Sequence, residues 1–506
     1  MADVLHNLAL GFSTSLTPLN LLYCFAGVLL GQIVGVLPGL GSAATIALLL
    51  PITYYIPATS AIIMLAGIWY GSMYGGSITS ILLRVPGEAT SVMTCVDGYE
   101  MARQGRAGPA LGISVFGSFI AGTLGVLGLM FLAPALAQVA LDFGPPEYFA
   151  LMVLGLTLVS YLASKSVPKA LSMAMVGLLL GTIGLDPVRS TERFSFGILT
   201  LQGGIEMIPM VMGLLGLSEV FIMLERQTRL GDVVQAPAAL RSLMPTRQDW
   251  RDSRGSIGRG TLVGFLVGIL PGAGATIATF VAYAVEKRVS RHPERFGAGA
   301  IEGVAAPESA NNSATAAGFI PLLTLGIPGN VVTALMLGAF LLHGITPGPT
   351  LLTEKPEMFW GIITSMYVGN IILLVLNIPL ISLFTRITRV PPAILRPLIV
   401  LFCLAGAYGV NNNPVDILVM VVFGVIGYLI TKFGYEPAPL VLAFVLEPMV
   451  EIALRQSLIL SQGSFLIFFN RPITGALLAL ALFMVVSPLF RYRYLLHPGG
   501  GVPRAR

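Results

Sequence analysis

The strongest constraint on the fold of this chain is a series of long apolar blocks that recur along its whole length. In residues 116–141, 151–163 and 371–384, apolar side chains follow one another without the alternation of a half-buried strand. Because lipid offers the backbone no hydrogen bonds, only helices or closed barrels cross it, and continuous blocks favour helices. A helix needs about 20 apolar residues to span the hydrocarbon, so we predict an all-α polytopic membrane protein with roughly 10–12 spans.

Charge content agrees with this class. Only 10% of the 506 residues are charged and the mean hydropathy is +0.85, whereas soluble chains carry about 25% charged residues. The net charge of +5 comes from short basic loops between apolar blocks, as in cytoplasmic loops of membrane proteins. We therefore expect membrane lipid around the chain and no nucleic-acid partner. The three cysteines lie far apart, so no metal site is expected.

The two halves of the chain repeat the same motifs in the same order. Gly35-Val-Leu-Pro-Gly-Leu-Gly41 agrees with Gly268-Ile-Leu-Pro-Gly-Ala-Gly274 at five of seven positions. Three further pairs follow: residues 76–87 with 318–329, Pro145-Pro146 with Pro391-Pro392, and residues 184–187 with 434–437. Equivalent positions lie 233 (Gly35 and Gly268) to 250 (Gly184 and Gly434) residues apart. This order predicts two structural repeats.

A polar stretch with seven basic residues, 226–259, separates the repeats and is predicted to be a solvated cytoplasmic linker. We accordingly divide the chain into four parts. Residues 1–225 form the first transmembrane repeat and 260–456 the second, on either side of the linker. Residues 457–506 form an extra C-terminal transmembrane helix with a cytoplasmic tail.

Equivalent loops of the two repeats carry opposite charge. The loop with Lys165 and Lys169 corresponds to residues 411–416, which have no basic side chain. The acidic turn with Asp142 and Glu147 corresponds to a basic one, residues 386–396. Since basic loops stay in the cytoplasm, we expect the second repeat to be inverted relative to the first. The N-terminus would then lie outside the cytoplasm and the Arg-rich C-terminus inside it.

Each repeat begins with an apolar segment that a Pro-Gly step interrupts, at Pro38-Gly39 and at Pro271-Gly272. In the second segment each arm has about 14 residues, or roughly 21 Å of helix, which is too short to cross the membrane. Basic residues flank both of its ends. Two interpretations remain open: a re-entrant hairpin, or one continuous helix with a Pro-Gly kink.

A second break follows in each half, where residues 70–80 and residues 307–313 each lead into another Pro-Gly step. Freed backbone groups at membrane depth are tolerated where they line a cavity or are buried in protein. A half-helix N-terminus there suits a carboxylate, and opposing oxygens suit Na⁺. The candidate substrate and ion site comprises Pro38, Gly39, Gly41, Ser42, Gly75, Gly76, Ser77, Thr79, Pro86, Gly87, Thr90, Pro271, Gly272, Gly274, Thr276, Glu308, Ser309, Asn311, Asn312, Pro328, Gly329 and Asn330.

Simpler roles exist for parts of this set. The polar cluster at residues 308–313 is either functional at membrane depth or a helix cap at the interface. Arg84 either binds the anionic substrate, or reaches the interface, or pairs with Glu88. The glycines of residues 74–77 either shape the site or let helices pack closely.

The motifs at residues 36–41, 70–90, 270–274 and 306–312 resemble the large membrane subunit of bacterial tripartite tricarboxylate transporters, and the similarity covers roughly residues 10–490. The resemblance implies uptake of a carboxylate such as citrate, driven by a Na⁺ or H⁺ gradient and not by ATP. It implies two protein partners, a periplasmic solute-binding protein and a small four-helix membrane subunit. It also implies a bacterial inner membrane, with the N-terminus on the periplasmic side and the C-terminus in the cytoplasm. Inverted repeats with hairpins and an elevator-like motion are implied as well.

An intramembrane enzyme and a passive anion channel are the two alternative classes of function. An intramembrane enzyme needs a nucleophile–base pair or a metal cluster, but the chain has no HExxH motif and no histidine near a candidate serine. We therefore predict no catalytic residue and no cofactor beyond a coupling ion. A passive anion channel is the remaining alternative, and it would need no binding protein.

Overall fold

Long helices dominate the computed structural model, which describes residues 2–37, 41–162, 166–186, 191–225, 240–270, 274–387 and 392–495. Seven helices in this part of the chain are long and apolar enough to cross a membrane, and six shorter apolar helices accompany them. The prediction of an all-α polytopic membrane protein is confirmed.

The first half contains most of its helices before residue 182. They are α1 (Ala2–Ser15), α2 (Pro18–Val36), α3 (Ser42–Thr53), α4 (Ala58–Leu83), α5 (Val92–Met101), α6 (Ala107–Ala140), α7 (Pro145–Leu162) and α8 (Val167–Gly181). A short antiparallel hairpin pairs β1 (Gly184–Leu185) with β2 (Glu192–Arg193). Then come α9 (Leu199–Gln202), α10 (Met207–Val211), a π-helical segment (Met212–Leu217) and α11 (Ser218–Glu225).

The second half is mainly helical in its described residues and includes a 3-10 turn at Pro293–Arg295. It contains α12 (Leu240–Leu243), α13 (Arg247–Ile269), α14 (Gly274–Val289), α15 (Glu302–Ala317), α16 (Phe319–Leu325), α17 (Val331–Leu342), α18 (Leu351–Glu354), α19 (Pro356–Ile387), α20 (Pro392–Asn411), α21 (Pro414–Lys432), α22 (Pro437–Leu460), α23 (Ile467–Asn470) and α24 (Pro472–Leu495).

The basic stretch before the second repeat is partly helical: it contains α12 and the start of α13, which continues past the expected boundary at residue 260. A capping box begins α13: Thr246 accepts a hydrogen bond from the Asp249 backbone, and Asp249 accepts one from the Thr246 backbone. This reciprocal pair satisfies two N–H groups that a helix start otherwise leaves free. The helix therefore starts in the polar region and continues unbroken into the apolar one. Residues 226–239 of the linker lie outside the described part.

Glycines bring α2 and α4 into close contact. A Cβ on Gly27, Gly31 or Gly35 would come within 3 Å of a backbone carbonyl of α4, at Met64, Ile68 or Ser72 respectively. The positions increase together along both helices, so α2 and α4 run parallel. Only a residue without a side chain permits this approach, as in other small-residue packing motifs of membrane helices.

The same arrangement recurs in the second half. Gly260, Gly264 and Gly268 of α13 lie against the backbone of Ala306, Ala310 and Ala314 of α15, again in parallel order. These glycines follow Gly27, Gly31 and Gly35 by 233 residues, which is the offset of the sequence motifs. The two halves thus use equivalent glycines for equivalent contacts.

Parallel packing makes both broken segments hairpins. Ser60 near the start of α4 donates a hydrogen bond of 2.5 Å to Asn20 near the start of α2, so α3 runs back between them. In the second half Arg259 of α13 meets Glu286 of α14, again with antiparallel arms. Of the two interpretations left open by the sequence, the described arms fit the re-entrant hairpin. The tips themselves, residues 38–40 and 271–273, lie outside the described part.

Helices α4 and α15 meet at the centre of the molecule and run antiparallel. Ser77 of α4 contacts Glu308 of α15. Trp69, two turns earlier on α4, lies beside Gly318, the residue that directly follows the end of α15. The ring of Trp69 also packs 5.3 Å from that of Phe319. Helix α4 is buried from Ser60 to Leu83. The parallel pair α2 and α4 therefore runs in the opposite direction to the parallel pair α13 and α15.

The last helix of the chain returns along α7. Arg471, just before α24, donates a hydrogen bond of 2.8 Å to Glu147 at the start of α7, and Thr474 donates one of 2.9 Å. The extra helix thus begins at Pro472, and the predicted boundary at residue 457 falls within α22.

Candidate functional site

The structure describes most of the predicted site residues but not the hairpin tips. Pro38, Gly39, Pro271 and Gly272 lie outside the described residues. Their neighbours begin the return arms: Gly41 precedes α3, which starts at Ser42, and Gly274 starts α14, with half-buried Thr276 in its first turn.

The first inner break folds the chain back onto its own hairpin. After α4 ends at Leu83, the chain turns at Arg84 and brings Gly87 against Gly35 of α2 and Gly76 of α4. A Cβ on Gly87 would come within 3 Å of both residues. This close approach explains why the step contains glycine. Pro86 beside it is half-buried.

Glu88 follows this glycine and reaches the return arm of the hairpin. Its carboxylate accepts a hydrogen bond from the Ser42 backbone N–H at the start of α3. The same side chain forms a capping box with Ser91 that begins a short 3-10 turn, Ala89–Ser91. The N-terminal pole of α3 therefore already holds a carboxylate, which compensates its partial positive charge.

The sequence suggested Glu88 only as a partner for Arg84, but in the structure the two side chains have different partners. Arg84 has a left-handed backbone, with φ of 57°, and its side chain is 62% exposed. Its guanidinium lies 3.8 Å from Glu100 and over the ring of Tyr99. The side chain thus contacts α5 and not Glu88.

The second inner break has the same geometry with different chemistry. Asn330 forms a capping box with Thr333 at the start of α17, and a Cβ on Gly274 would lie 3.9 Å from the Asn330 Cβ. Pro328 and Gly329 before it are buried. Asn330 follows Glu88 by 242 residues, as Gly318 follows Gly76. One half-helix N-terminus therefore faces a carboxylate and the other faces a neutral amide.

Glu308 lies in the middle of α15 with 1% of its surface exposed, so the alternative of a helix cap at the interface is wrong. Its carboxyl accepts hydrogen bonds from the hydroxyls of Ser77 on α4, at 2.6 Å, and Thr94 on α5. Its backbone carbonyl accepts one of 3.1 Å from the Asn312 amide. Glu308 therefore joins the second half to two helices of the first.

Two neighbours of Glu308 have buried polar atoms without a partner. The Ser309 hydroxyl and both amide atoms of Asn311 make no hydrogen bond within the described part of the chain. Leaving such a group unsatisfied costs about 1–3 kcal/mol. Native proteins generally pair such groups with protein, solvent or a ligand, so this turn of α15 is suited to hold a bound species.

The remaining candidates make mainly structural contacts. Gly75 packs against the backbone of Gln32 and Gly35, so its interpretation as a close-packing glycine is supported. The hydroxyl of Thr79 bonds the Gly76 carbonyl, 3.1 Å away on its own helix. Thr90 bonds the sulfur of Met73 at 3.3 Å.

The inner break of the first half also reaches the hairpin of the second. The 3-10 turn after Glu88 packs against both α14 and α15. Further along, the Tyr283 hydroxyl of α14 donates a hydrogen bond of 2.8 Å to Asp97 of α5. Asp97, which sequence reasoning missed, also accepts hydrogen bonds from the backbone of Gly297, Gly299 and Ala300. Elements of both halves thus surround the contact between α4 and α15.

Known proteins match this chain over most of its length. A family model described as the tripartite tricarboxylate transporter TctA family matches residues 21–442. An uncharacterized 52.8 kDa protein in the TAR-I ttuC' 3' region of Agrobacterium vitis is 50% identical over 489 residues, 97% of each chain. An uncharacterized protein in the TAR-II ttuC' 3' region of that organism is 51% identical over 226 residues, 45% of this chain and 93% of that one. No solved structure matches significantly.

Proposed function

The chain belongs to the tripartite tricarboxylate transporter TctA family, and from this premise we propose that it imports a small carboxylate by secondary active transport. The family is one of transporter subunits, so the chain is a multi-pass membrane protein and not an enzyme. We propose that a Na⁺ or H⁺ gradient drives uptake and that the membrane is the bacterial inner membrane. A periplasmic solute-binding protein would deliver the carboxylate, and a small four-helix subunit would accompany this one.

The difference between Glu88 and Asn330 is the observation that carries the site proposal. A substrate carboxylate at the start of α3 would meet the charge of Glu88, which already occupies that pole. At the start of α14 the equivalent side chain is the neutral Asn330. Like charges in a desolvated site repel strongly, whereas a helix N-terminus attracts an anion. The carboxylate is therefore proposed to bind at the second hairpin, beside Asn330.

An inverted repeat is proposed as the basis of alternating access. The antiparallel contact of α4 with α15 and the equivalent glycines of α2 and α13 support it. In this proposal the N-terminus is periplasmic, the C-terminus is cytoplasmic, and the hairpins expose the central site to one side at a time.

Reconstituted transport tests the function. Proteoliposomes that contain this chain, the small subunit and the binding protein are given labelled citrate as a tricarboxylate probe, with dicarboxylates in parallel. Accumulation against a concentration gradient that requires both an ion gradient and the binding protein is the expected result. Downhill flux without the binding protein would favour a passive channel and contradict the proposal.

A further inference from the structure

Glu308 has no basic partner, in contrast to several other strongly buried carboxylates. Four of those others each pair with an arginine at 2.5–2.8 Å: Glu147 with Arg471, Asp186 with Arg455, Asp249 with Arg106, and Glu286 with Arg259. Among the described residues no lysine, arginine or histidine forms an ion pair with Glu308, and the partners of its carboxyl are hydroxyls. Its charge is therefore not balanced by the protein.

An unbalanced carboxylate at this depth is costly in its ionised form. Moving a lone charge out of water is unfavourable even after relaxation of the surroundings. Ionisable groups inside membrane proteins are retained where they bind or carry ions. Glu308 lies on the helix that also carries the unsatisfied Asn311 and Ser309. Its neutral form is thus favoured unless a cation balances it.

The surroundings of Glu308 contain few other groups that titrate. The facing groups are the Tyr74 phenol of α4 and the Cys95 thiol of α5. The Tyr74 hydroxyl donates a hydrogen bond of 2.9 Å to the side-chain oxygen of Asn370. The other helices near Glu308 carry titratable groups that already have partners: Arg259 of α13 pairs with Glu286 of α14, and Tyr283 of α14 bonds Asp97 of α5. Helices α6 and α16 and the 3-10 turn carry no titratable side chain. Glu308 therefore has no fixed countercharge among the described residues. It differs from Asp97, whose carboxylate accepts three backbone hydrogen bonds, because the donors to its carboxyl are hydroxyls.

The hydroxyl shell suits both protonation states of the carboxyl. In the ionised form Ser77 and Thr94 donate to its two oxygens. The Ser77 hydroxyl also lies 3.2 Å from the Met73 carbonyl of its own helix. When a proton binds one carboxyl oxygen, Ser77 can accept the new O–H and turn its own hydrogen to Met73. No unsatisfied group is created by the exchange.

We propose that Glu308 binds the coupling proton of the transport cycle. The proposal rests on the proposed function and deepens it by identifying the ion. A proton from one side of the membrane adds to a carboxyl oxygen to form an O–H bond, and the same bond breaks when the proton leaves to the other side. Thr94 connects this event to α5, which follows the 3-10 turn and Glu88. The proton site is thereby linked to the tip of the first hairpin.

The test compares net uptake with exchange in the reconstituted three-part transporter. Replacing Glu308→Gln is expected to reduce citrate accumulation driven by a pH gradient by about tenfold or more. Exchange of internal for external citrate needs no net proton movement, so it should persist. Glu294→Gln is the matched control, because it makes the same change on an exposed side chain. Glu308→Asp keeps a titratable carboxyl and should retain uptake with a shifted pH profile.

Proton binding is also measured without transport. Citrate is titrated by calorimetry into the complete complex in two buffers of different ionisation enthalpy. The wild type and Glu294→Gln should show the same dependence of the heat on the buffer. Glu308→Gln should show a smaller one, because only the protons exchanged by citrate itself remain. If Glu308→Gln does not reach the membrane, Thr94→Val is used instead, and it should shift the pH dependence of uptake.

The outcomes separate the two proposals. Accumulation by the wild type that follows a Na⁺ gradient and ignores pH would overturn the proton assignment and leave the carrier intact. Proton-driven accumulation by Glu308→Gln equal to that of the wild type would overturn it too. Absence of accumulation by the wild type under either gradient would instead overturn the carrier function itself.

Discussion

The carboxylate of Glu88 caps α3 through the backbone N–H of Ser42, although the two residues are 46 positions apart. This bond fastens the return arm of the first hairpin to the inner Pro-Gly break of the same half. A carboxylate at a helix N-terminus is favoured both by the free N–H groups and by the partial positive charge of the helix. The relationship therefore holds the start of the return arm through one side chain.

Replacing Glu88→Ala should destabilise the tip by about 1 kcal/mol, because it removes both the hydrogen bond and the charge. Glu88→Gln should cost less, since an amide oxygen still accepts the Ser42 N–H. Thermal unfolding of the purified protein in detergent measures both variants. Equal stability of the wild type and Glu88→Ala would show that the cap contributes nothing.

Placing a negative charge at the second hairpin should impair substrate binding. Asn330→Asp retains a capping oxygen for Thr333 but puts a carboxylate beside the start of α14. Repulsion should raise the apparent KM for citrate about tenfold or more. Asn330→Ser is the control, because it retains a neutral capping oxygen and should change KM little. An unchanged KM in Asn330→Asp would place the carboxylate elsewhere.

Glycine spacing on α13 allows a matched test of the close helix contact. Gly264→Ala would drive a methyl group into the Ala310 backbone of α15 and should lower the yield of folded protein. On the same helix, a Cβ on Gly258 would meet nothing within 4 Å. Gly258→Ala should therefore be neutral or stabilise by up to about 1 kcal/mol. Size-exclusion chromatography with fluorescence detection compares the two; equal yields would contradict the packing.

The sequence predicted those features that depend on local pattern. Apolar blocks indicated the helices, and repeated Pro-Gly steps indicated the breaks, because proline and glycine act on the backbone where they stand. The choice between hairpin and kink was not local, since it depends on the parallel contact of α2 with α4 through Gly27, Gly31 and Gly35.

Other parts of the site depended on partners far away in the chain. Glu308 was recognised as a candidate, but Ser77 and Thr94 lie 231 and 214 residues away, and nothing in the sequence pairs them with it. Serine and threonine in helices commonly bond their own backbone, so Thr94 carried no distinct signal. Arg84 was placed near Glu88 by proximity in sequence, whereas its left-handed backbone directs it to Glu100.

The ion pair of the second hairpin should respond unequally to loss of its two members. Glu286 is buried, with 2% of its side chain exposed, whereas Arg259 is 42% exposed; their closest atoms are 2.6 Å apart. Arg259→Ala leaves a buried carboxylate with only the Ser256 hydroxyl as partner and should cost roughly 1–3 kcal/mol after allowance for solvent screening. Glu286→Ala leaves an arginine that can turn to water and should cost less. Thermal unfolding of both single variants and the double variant gives the coupling between them. A larger loss in Glu286→Ala than in Arg259→Ala would contradict the assignment of the carboxylate as the desolvated member of the pair.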